Sequence, residues 1–312
     1  MDRLFIAGSH REQDFSRNAL GIVRTGLACR DHRHPDRADS TMAAVDRTQI
    51  DTSKPSIARV YDAFIGGKDN FEVDREVLRQ ILQIAPDAVQ VGKQCRGWLI
   101  RVVRYLAGQA GIDQFLDLGS GLPSAENTHQ AAQRINPEAR VVYFDIDPSV
   151  VAHGRALLVD NEYTHFEFGD MRNPAEILEN PVVTKYLDLS RPVALIQGNT
   201  LHHVAADRDP VGIMSTYVDA LAPGSFLAIS HLYDPDDGTS RAKLAEEAQA
   251  AFKETMGTCY YRKRHEIQAL FDGMEMIEPG LTYLFDWWPD GPRLTEPSDA
   301  ERNLLGGVAR KR

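Results

Sequence analysis

Hydrophobic positions along this chain change their spacing at about residue 111. Upstream, from Pro55, they recur every three or four residues, the spacing of an amphipathic helix. One such set is Ile57, Val60, Tyr61 and Phe64. The next is Val73, Val77, Leu78, Ile81 and Leu82, and a third is Trp98, Leu99, Val102, Val103 and Leu106. Punctuation residues set the boundaries. Ser56 is placed to cap the first helix, Gly66-Gly67 ends it, and Pro86 stops the second. The third helix is expected over about Val89 to Ala107. After Gly111 the apolar runs shorten to strand length: QFLDL, RVVYFDI, HFEFGD, PVALIQG and SFLAISH. Helical stretches separate them, Ser124–Ile135, Pro148–Leu158, Pro174–Tyr186 and Val211–Leu221. Strands alternating with helices predict an α/β fold, a mostly parallel sheet with helices on both faces. The three upstream helices would form an N-terminal cover. A later helix, Thr239–Met256, puts Leu244, Ala248 and Phe252 on one stripe, as a cover for the substrate side would.

Residues 1–54 differ from the rest. HREQDFSR and CRDHRHPDRADS mix charges with little apolar periodicity, so an arm without stable structure is expected. His32 and His34 within it are too slight a feature to make a metal site. Met42 opens a stretch that would serve as a start of its own, so residues 1–41 read as an upstream extension from a misplaced start. Mass spectrometry of the native N-terminus tests that reading. The organisation expected is an arm (1–54), a helical cover or lid (55–110), a core (111–292) and a C-terminal tail (293–312).

Charge and cysteine content narrow the partners. A net charge of −10 disfavours nonspecific attraction to nucleic acid or to anionic membranes. One candidate for a local basic patch, Arg262-Lys263-Arg264, reads as the solvated start of a helix. No apolar run approaches the roughly 20 residues of a membrane span. Cys29, Cys95 and Cys259 are scattered, which argues against a disulfide framework or a zinc site and suits a cytoplasmic protein.

In a parallel α/β sheet ligands sit at the carboxyl ends of the strands. The first strand ends Asp117-Leu118-Gly119-Ser120-Gly121, a turn tight enough for the backbone to approach a ligand. The second ends in Asp145, Ile146 and Asp147, and a carboxylate there can accept two hydrogen bonds from a ribose diol. The third ends Gly169-Asp170-Met171, where a carboxylate can accept from an adenine amino group. These features point to an adenosine-containing ligand. A dinucleotide fingerprint would place a third glycine where Ser124 stands, and Pro123 removes an amide that a pyrophosphate would use. Asp117 would repel phosphate but can hold an ammonium group. Adenosine joined to a cationic amino acid fits better, which makes S-adenosylmethionine the expected cofactor.

With these residues in view, the chain resembles the Rossmann-like, class I S-adenosylmethionine-dependent methyltransferases. More closely it resembles a family of small methyltransferases without an assigned substrate, whose members carry a signature like SIARVYDAFIGGKDNFEVDRE before FLDLGSGLPS. The likeness covers about Lys54 to Pro292, with VVYFDIDPSVVAHGRALL and LAPGSFLAISH among its most specific pieces. It implies a seven-stranded sheet with one antiparallel edge strand, MEMIEPG and LTYLFDWW forming its last two strands as a hairpin. It makes Asp145 the ribose ligand and Asp170 with Met171 the adenine contacts. Asp117, Gly119, Ser120, Gly121, Ile146 and Asn199 complete the cofactor set in the core. Tyr61, Lys68 and Asn70 are candidates for a lid over the cofactor.

Transfer from a sulfonium is an in-line displacement that needs orientation and exclusion of water, and a base only when the acceptor keeps its proton. His202 and His203, in GNTLHHVAAD, are the candidate bases. Such a base would titrate near the ~6.5 of imidazole, shifted by burial or by Asp207. His231 is a weaker candidate for the pocket wall. Asn199 is followed by Thr200-Leu201 rather than Pro-Pro-aromatic, which favours O- or C-methylation of a small molecule over N-methylation. Trp287 and Trp288 either wall a pocket or seal the sheet edge, the second being favoured. Two other functions remain open at this point, a cofactor-binding regulator without transferase activity and an NAD-dependent oxidoreductase.

Overall fold

The computed structural model describes residues 50–312. The expected arm, with His32, His34 and the alternative start at Met42, lies outside these apart from residues 50–54.

The three cover helices form where the periodicity places them, α1 (Ile57–Phe64), α2 (Glu72–Ile84) and α3 (Ala88–Gly108). Ser56 caps α1 by accepting from the Arg59 N–H. α1 and α2 lock around the fully buried Asp74. Its carboxylate accepts from the Ser56 and Phe71 N–H groups at 3.0 and 2.8 Å and from Arg59 Nε at 2.9 Å. A buried charge is tolerated when a cation and backbone donors compensate it in this way.

The core then alternates: β1 (Gln114–Leu118), α4 (Thr128–Gln133), β2 (Arg140–Asp145), α5 (Pro148–Leu157), β3 (Thr164–Phe168), α6 (Pro174–Leu178), α7 (Pro181–Tyr186), β4 (Ala194–Gly198), α8 (Pro210–Ala220) and β5 (Phe226–Leu232). The segment 174–186 is two helices, not the single one expected. Pro181 has no N–H to continue α6, and the Asn180 side chain caps a new helix through the Val182 N–H. Beyond β5 come α9 (Ser240–Met256), α10 (Arg264–Ala269), β6 (Glu275–Met276), β7 (Thr282–Tyr283), α11 (Asp299–Arg302) and β8 (Leu304–Arg310).

Strands lie in the order β3-β2-β1-β4-β5-β8, with β6 and β7 both on the far edge of β8. β1 to β5 are parallel, and β8 is antiparallel to β5, to β6 and to β7. The antiparallel strand is therefore inserted within the sheet, not at its edge as expected. MEMIEPG and LTYLFDWW contribute two residues of strand each, and these pair with β8, not with each other as a hairpin. Residues 304–310, expected in a tail, form that inserted strand. Its Gly306 allows close approach by the cover: a Cβ there would stand 2.8 Å from the Trp98 indole.

Alternation along the strands builds two cores. On one face Phe115, Val141, Tyr143 and Ile196 pack against Trp98, Val102 and Leu106 of α3. On the other, Leu116, Val142, Phe144 and Leu195 pack with Ile177, Val183 and Tyr217. A third cluster joins Phe64, Ile81 and Ala88 of the cover to Leu244, Phe252 and Met256 of α9. Trp287 is fully buried, its ring 6.5 Å from Trp98 and 5.8 Å from Tyr105, and Trp288 stacks against it. The pair seals the sheet beneath α3.

Candidate active site

One cavity of about 720 Å³ opens at the carboxyl ends of the parallel strands, beneath the helical cover, a size usual for small-molecule sites. The strand order reverses between β1 and β4, which is where an α/β sheet leaves a crevice. Asp117, Gly119, Ser120, Gly121, Asp145, Ile146, Asp170, Met171, Asn199, Tyr61, His202 and His203 all line it. Lys68 and Asn70 do not. Asn70 closes the turn between α1 and α2 instead, its Nδ2 donating to the buried Asp62 at 2.7 Å.

The glycine turn has two different geometries. Gly119 and Gly121 both adopt left-handed backbone, with φ of 72° and 69°. A Cβ on Gly119 would stand 2.3 Å from Thr200 Cγ2, so this glycine is required by the protein itself. A Cβ on Gly121 would meet no atom within 4 Å. Its open side belongs to the cavity.

Two buried carboxylates flank the turn. Asp145 accepts from the Gly121 N–H through Oδ2 and from the Asp147 N–H through Oδ1, both at 2.9 Å. Each oxygen keeps a lone pair, enough for a diol. Burial pushes the Asp145 carboxyl up to about 6, against the pull of those backbone donors. Asp117 accepts from Thr128 Oγ1 at 2.6 Å, and burial pushes it up to about 6 as well. Asp147 caps α5 through the Ser149 N–H and also accepts from the Ser56 hydroxyl, tying the cover to the end of β2. Asp170 is held by Arg172, whose Nε and Nη2 donate to its oxygens at 2.8 and 2.7 Å. The Met171 carbonyl accepts from the Tyr217 hydroxyl at 2.9 Å.

Sequence reasoning passed over Arg96, on α3. Its Nη2 donates to the Glu126 carbonyl at 2.6 Å and to Asn127 Oδ1 at 2.9 Å, and its Nε is buried without a partner. Its charge is felt by Asp117, yet the two make no ion pair, and Glu126 is taken by Arg134. An opposed carboxylate and guanidinium beside Gly119 and Gly121 match the zwitterionic amino-acid end of S-adenosylmethionine. Only the fold reveals this, since Arg96 and Asp117 lie on separate elements.

His202 and His203 form a single turn (Leu201–His203) after β4. Asn199 starts it in left-handed backbone, φ 58°, with its N–H donating to Ser230 Oγ at 3.0 Å. From below, the buried Arg262 donates to the Leu201 carbonyl at 2.9 Å and to the Val204 carbonyl at 2.5 Å. Arg262 is thus a buried strut and not the solvated start of a helix. It also donates to His231 Nε2 at 2.6 Å, while His231 Nδ1 faces the Leu232 carbonyl at 2.7 Å. His231 is therefore neutral with its proton on Nδ1. It supports the turn and does not line the cavity.

Both candidate bases are less basic than a free imidazole. Burial pushes His203 down to about 4 and, with His203, His231 and Arg262 nearby, takes His202 well below its ordinary value. Of the two shifts expected from the sequence, burial acts, and acts downward, while Asp207 is exposed and outside the cavity. His203 Nδ1 meets Thr258 Oγ1 at 3.1 Å, and His202 Nδ1 has no partner.

Among the described residues no His, Cys, Asp and Glu cluster could hold a metal ion, and no helix is long and apolar enough to cross a membrane. Comparison with known proteins agrees with this geometry. The crystal structure of a candidate methyltransferase from Thermobifida fusca YX is 43% identical, with a TM-score of 0.78 over 83% of this chain and 96% of that one. That of a DUF574 family protein from Streptomyces avermitilis MA-4680 is 35% identical, with a TM-score of 0.80 over 85% and 100%. No curated protein matches the chain. A model of the S-adenosyl methyltransferase family matches residues 43–312. A family match over the whole described length, on a fold with its cavity at the strand ends, sets the oxidoreductase aside: this chain belongs to the S-adenosyl methyltransferase family and is an S-adenosylmethionine-dependent methyltransferase.

Proposed function

We propose that the chain methylates oxygen or carbon of a small molecule held in the same cavity as the cofactor. The observation that carries this reading is the cavity itself, which runs from buried carboxylates at β1 and β2 to neutral imidazoles after β4. In this reading Asp145 takes the ribose hydroxyls, and Ile146, Asp170 and Met171 border the adenine. Asp117 and Arg96 hold the ammonium and carboxylate of the amino-acid end beside Gly119, Ser120 and Gly121.

The bound cofactor supplies an already activated methyl group. The protein contributes alignment and dryness, which together are worth ~7–11 kcal/mol in favourable cases. In this reading the cover helices exclude water, and His202 and His203, in the turn held by Asn199 and Arg262, face the acceptor. A neutral imidazole there can take the proton of a hydroxyl acceptor, a role typically worth about 10²–10⁴-fold.

Two measurements test this. Calorimetry with S-adenosylhomocysteine should show binding that weakens by roughly 2–4 kcal/mol in Asp145→Ala, since two charge-assisted bonds to the diol are lost. Labelled methyl from S-adenosylmethionine, incubated with the enzyme and a cell extract, should enter the small-molecule fraction. Label confined to protein or nucleic acid would overturn the acceptor class.

A further inference from the structure

We infer that the acceptor is an uncharged, largely apolar molecule bearing a hydrogen-bond donor, and that Asn303 is the specificity-determining residue that receives that donor. The inference rests on the methyltransferase reading above.

The sheet order divides the cavity. The ends of β1, β2 and β3 lie to one side of the switch point, and those of β4 and β5, with the start of β8, lie to the other. The charged residues lining the cavity stand in or just before the cover or at the ends of β1 to β3, and their arginines are engaged there: Arg59 with Asp74, Arg172 with Asp170, and Arg96 with the Glu126 carbonyl and Asn127 Oδ1 of the loop after β1. From Gly198 onward the lining holds no Asp, Glu, Lys or Arg. The walls there are uncharged: Leu244, Ala248, Phe252 and Met256 from α9 face the cover residues Phe64 and Ile81, and Thr200, Thr258 and Tyr261 add hydroxyls without charge. His202 and His203, neutral through burial, add no charge. A carboxylate, phosphate or ammonium acceptor would be buried on this side without a counter-charge, at a cost of several kcal/mol. An uncharged ring system loses nothing of the kind.

A specific polar point stands in this uncharged wall. Asn303 joins α11 to β8, between the cavity residues Ala300 and Leu304, and is only 2% exposed. Its Nδ2 donates to the Arg241 carbonyl at 2.9 Å, which fixes the other end of the amide as oxygen. Its backbone is satisfied too, the N–H by Ala300 and the carbonyl by the Tyr233 N–H. Oδ1 alone has no partner. A buried acceptor left unpaired is penalised, so a ligand that brings a donor is favoured about tenfold or more over one that does not. Buried acceptor groups discriminate by this asymmetry. His202 Nδ1, also buried and unpartnered, makes a second polar point on the same side.

The test uses the full chain saturated with S-adenosylhomocysteine at pH 7 and three fluorescent probes of one ring system: 2-naphthol, 2-methoxynaphthalene and naphthalene-2-carboxylate. 2-Naphthol should bind about tenfold or more tightly than its methyl ether, which lacks the donor, and than the carboxylate. Asn303→Leu should erase the preference over the ether while keeping that over the carboxylate, with S-adenosylhomocysteine affinity unchanged. Ala248→Trp should block all three. Should Asn303→Leu not fold, the wild-type comparison decides alone. Equal or tighter binding of the carboxylate, no preference over the ether, or no binding of 2-naphthol would overturn the inference. Failure of S-adenosylhomocysteine itself to bind would instead overturn the cofactor site on which it rests.

Discussion

The Ser56 hydroxyl donates to Asp147 Oδ2 across 91 residues of sequence, and Asp147 in turn donates its N–H to Asp145. The N-cap residue of the first cover helix is thereby tied to the carboxylate assigned to the ribose. Ser56→Ala removes this tie together with the cap of α1, which is worth ~1 kcal/mol. A melting point lower by roughly 2–4 °C is expected. Cofactor affinity should fall by about 3- to 10-fold, as the cover spends less time closed. Ser56→Thr keeps the hydroxyl and should restore both. Unchanged affinity in the alanine variant would show that the cover closes without this bond.

The two glycines of the turn should respond differently. Gly119→Ala drives a methyl into Thr200 and also holds a left-handed backbone, so it costs ~1–3 kcal/mol of stability by overpacking on top of ~1–2 kcal/mol of backbone strain. Combining it with Thr200→Ser, which removes the clashing Cγ2, should recover part of that loss. Gly121→Ala has room for its methyl but holds a left-handed backbone, a strain of ~1–2 kcal/mol. Its larger effect should be on S-adenosylhomocysteine binding, since its Cβ enters the cavity. Thermal melts and calorimetry on both variants separate the cases, and equal effects on both readouts would contradict the assignment.

Arg96 should act on one end of the cofactor only. Arg96→Met is expected to weaken S-adenosylhomocysteine by roughly 10- to 100-fold, the value of charge-assisted hydrogen bonds to a carboxylate. 5′-Deoxy-5′-methylthioadenosine, which lacks the amino-acid end, should bind with unchanged affinity. Equal losses for the two ligands would make Arg96 a structural support of the loop at Glu126 and Asn127.

The pH dependence has two opposed parts. Asp117 and Asp145 are raised to about 6 from an unfolded value near 3.8, so the folded chain without ligand holds more protons than the unfolded one between those values. The stability they contribute is present below pH ~3.8 and is lost as pH rises through 6. Cofactor binding needs both ionised, so affinity should climb from pH 5 to 7 and then level. His203, depressed to about 4, works the other way. Its contribution is present above pH ~6.5 and is lost as pH falls through 4. His203→Gln should flatten the acid limb of the stability curve. Calorimetry and melting points across pH 4–8 read both parts, and cofactor affinity constant from pH 5 to 7 would refute the carboxylate assignment.

What could be read from the sequence is what depends on near neighbours in the chain. Helix and strand periods set α1 to α3 and β1 to β5 close to their observed bounds. The glycine turn and the acids ending β1, β2 and β3 announced the cofactor, because strand-end chemistry is written within a few residues. The sequence by itself thus determined the α/β class, the position of the site and the nature of the ligand. The inserted strand β8 was hidden in what read as a tail, since two glycines weaken its strand pattern and its pairing with β5 is not local. Tertiary structure decided that Lys68 and Asn70 stand outside the cavity, Asn70 closing a turn around Asp62, that Arg262 props the histidine turn, and that Arg96 and Asn303 reach the cavity. It also decided how basic the histidines are. Each of these depends on which distant side chains meet and on how much water they exclude, and desolvation belongs to the packed whole, not to any local stretch of residues.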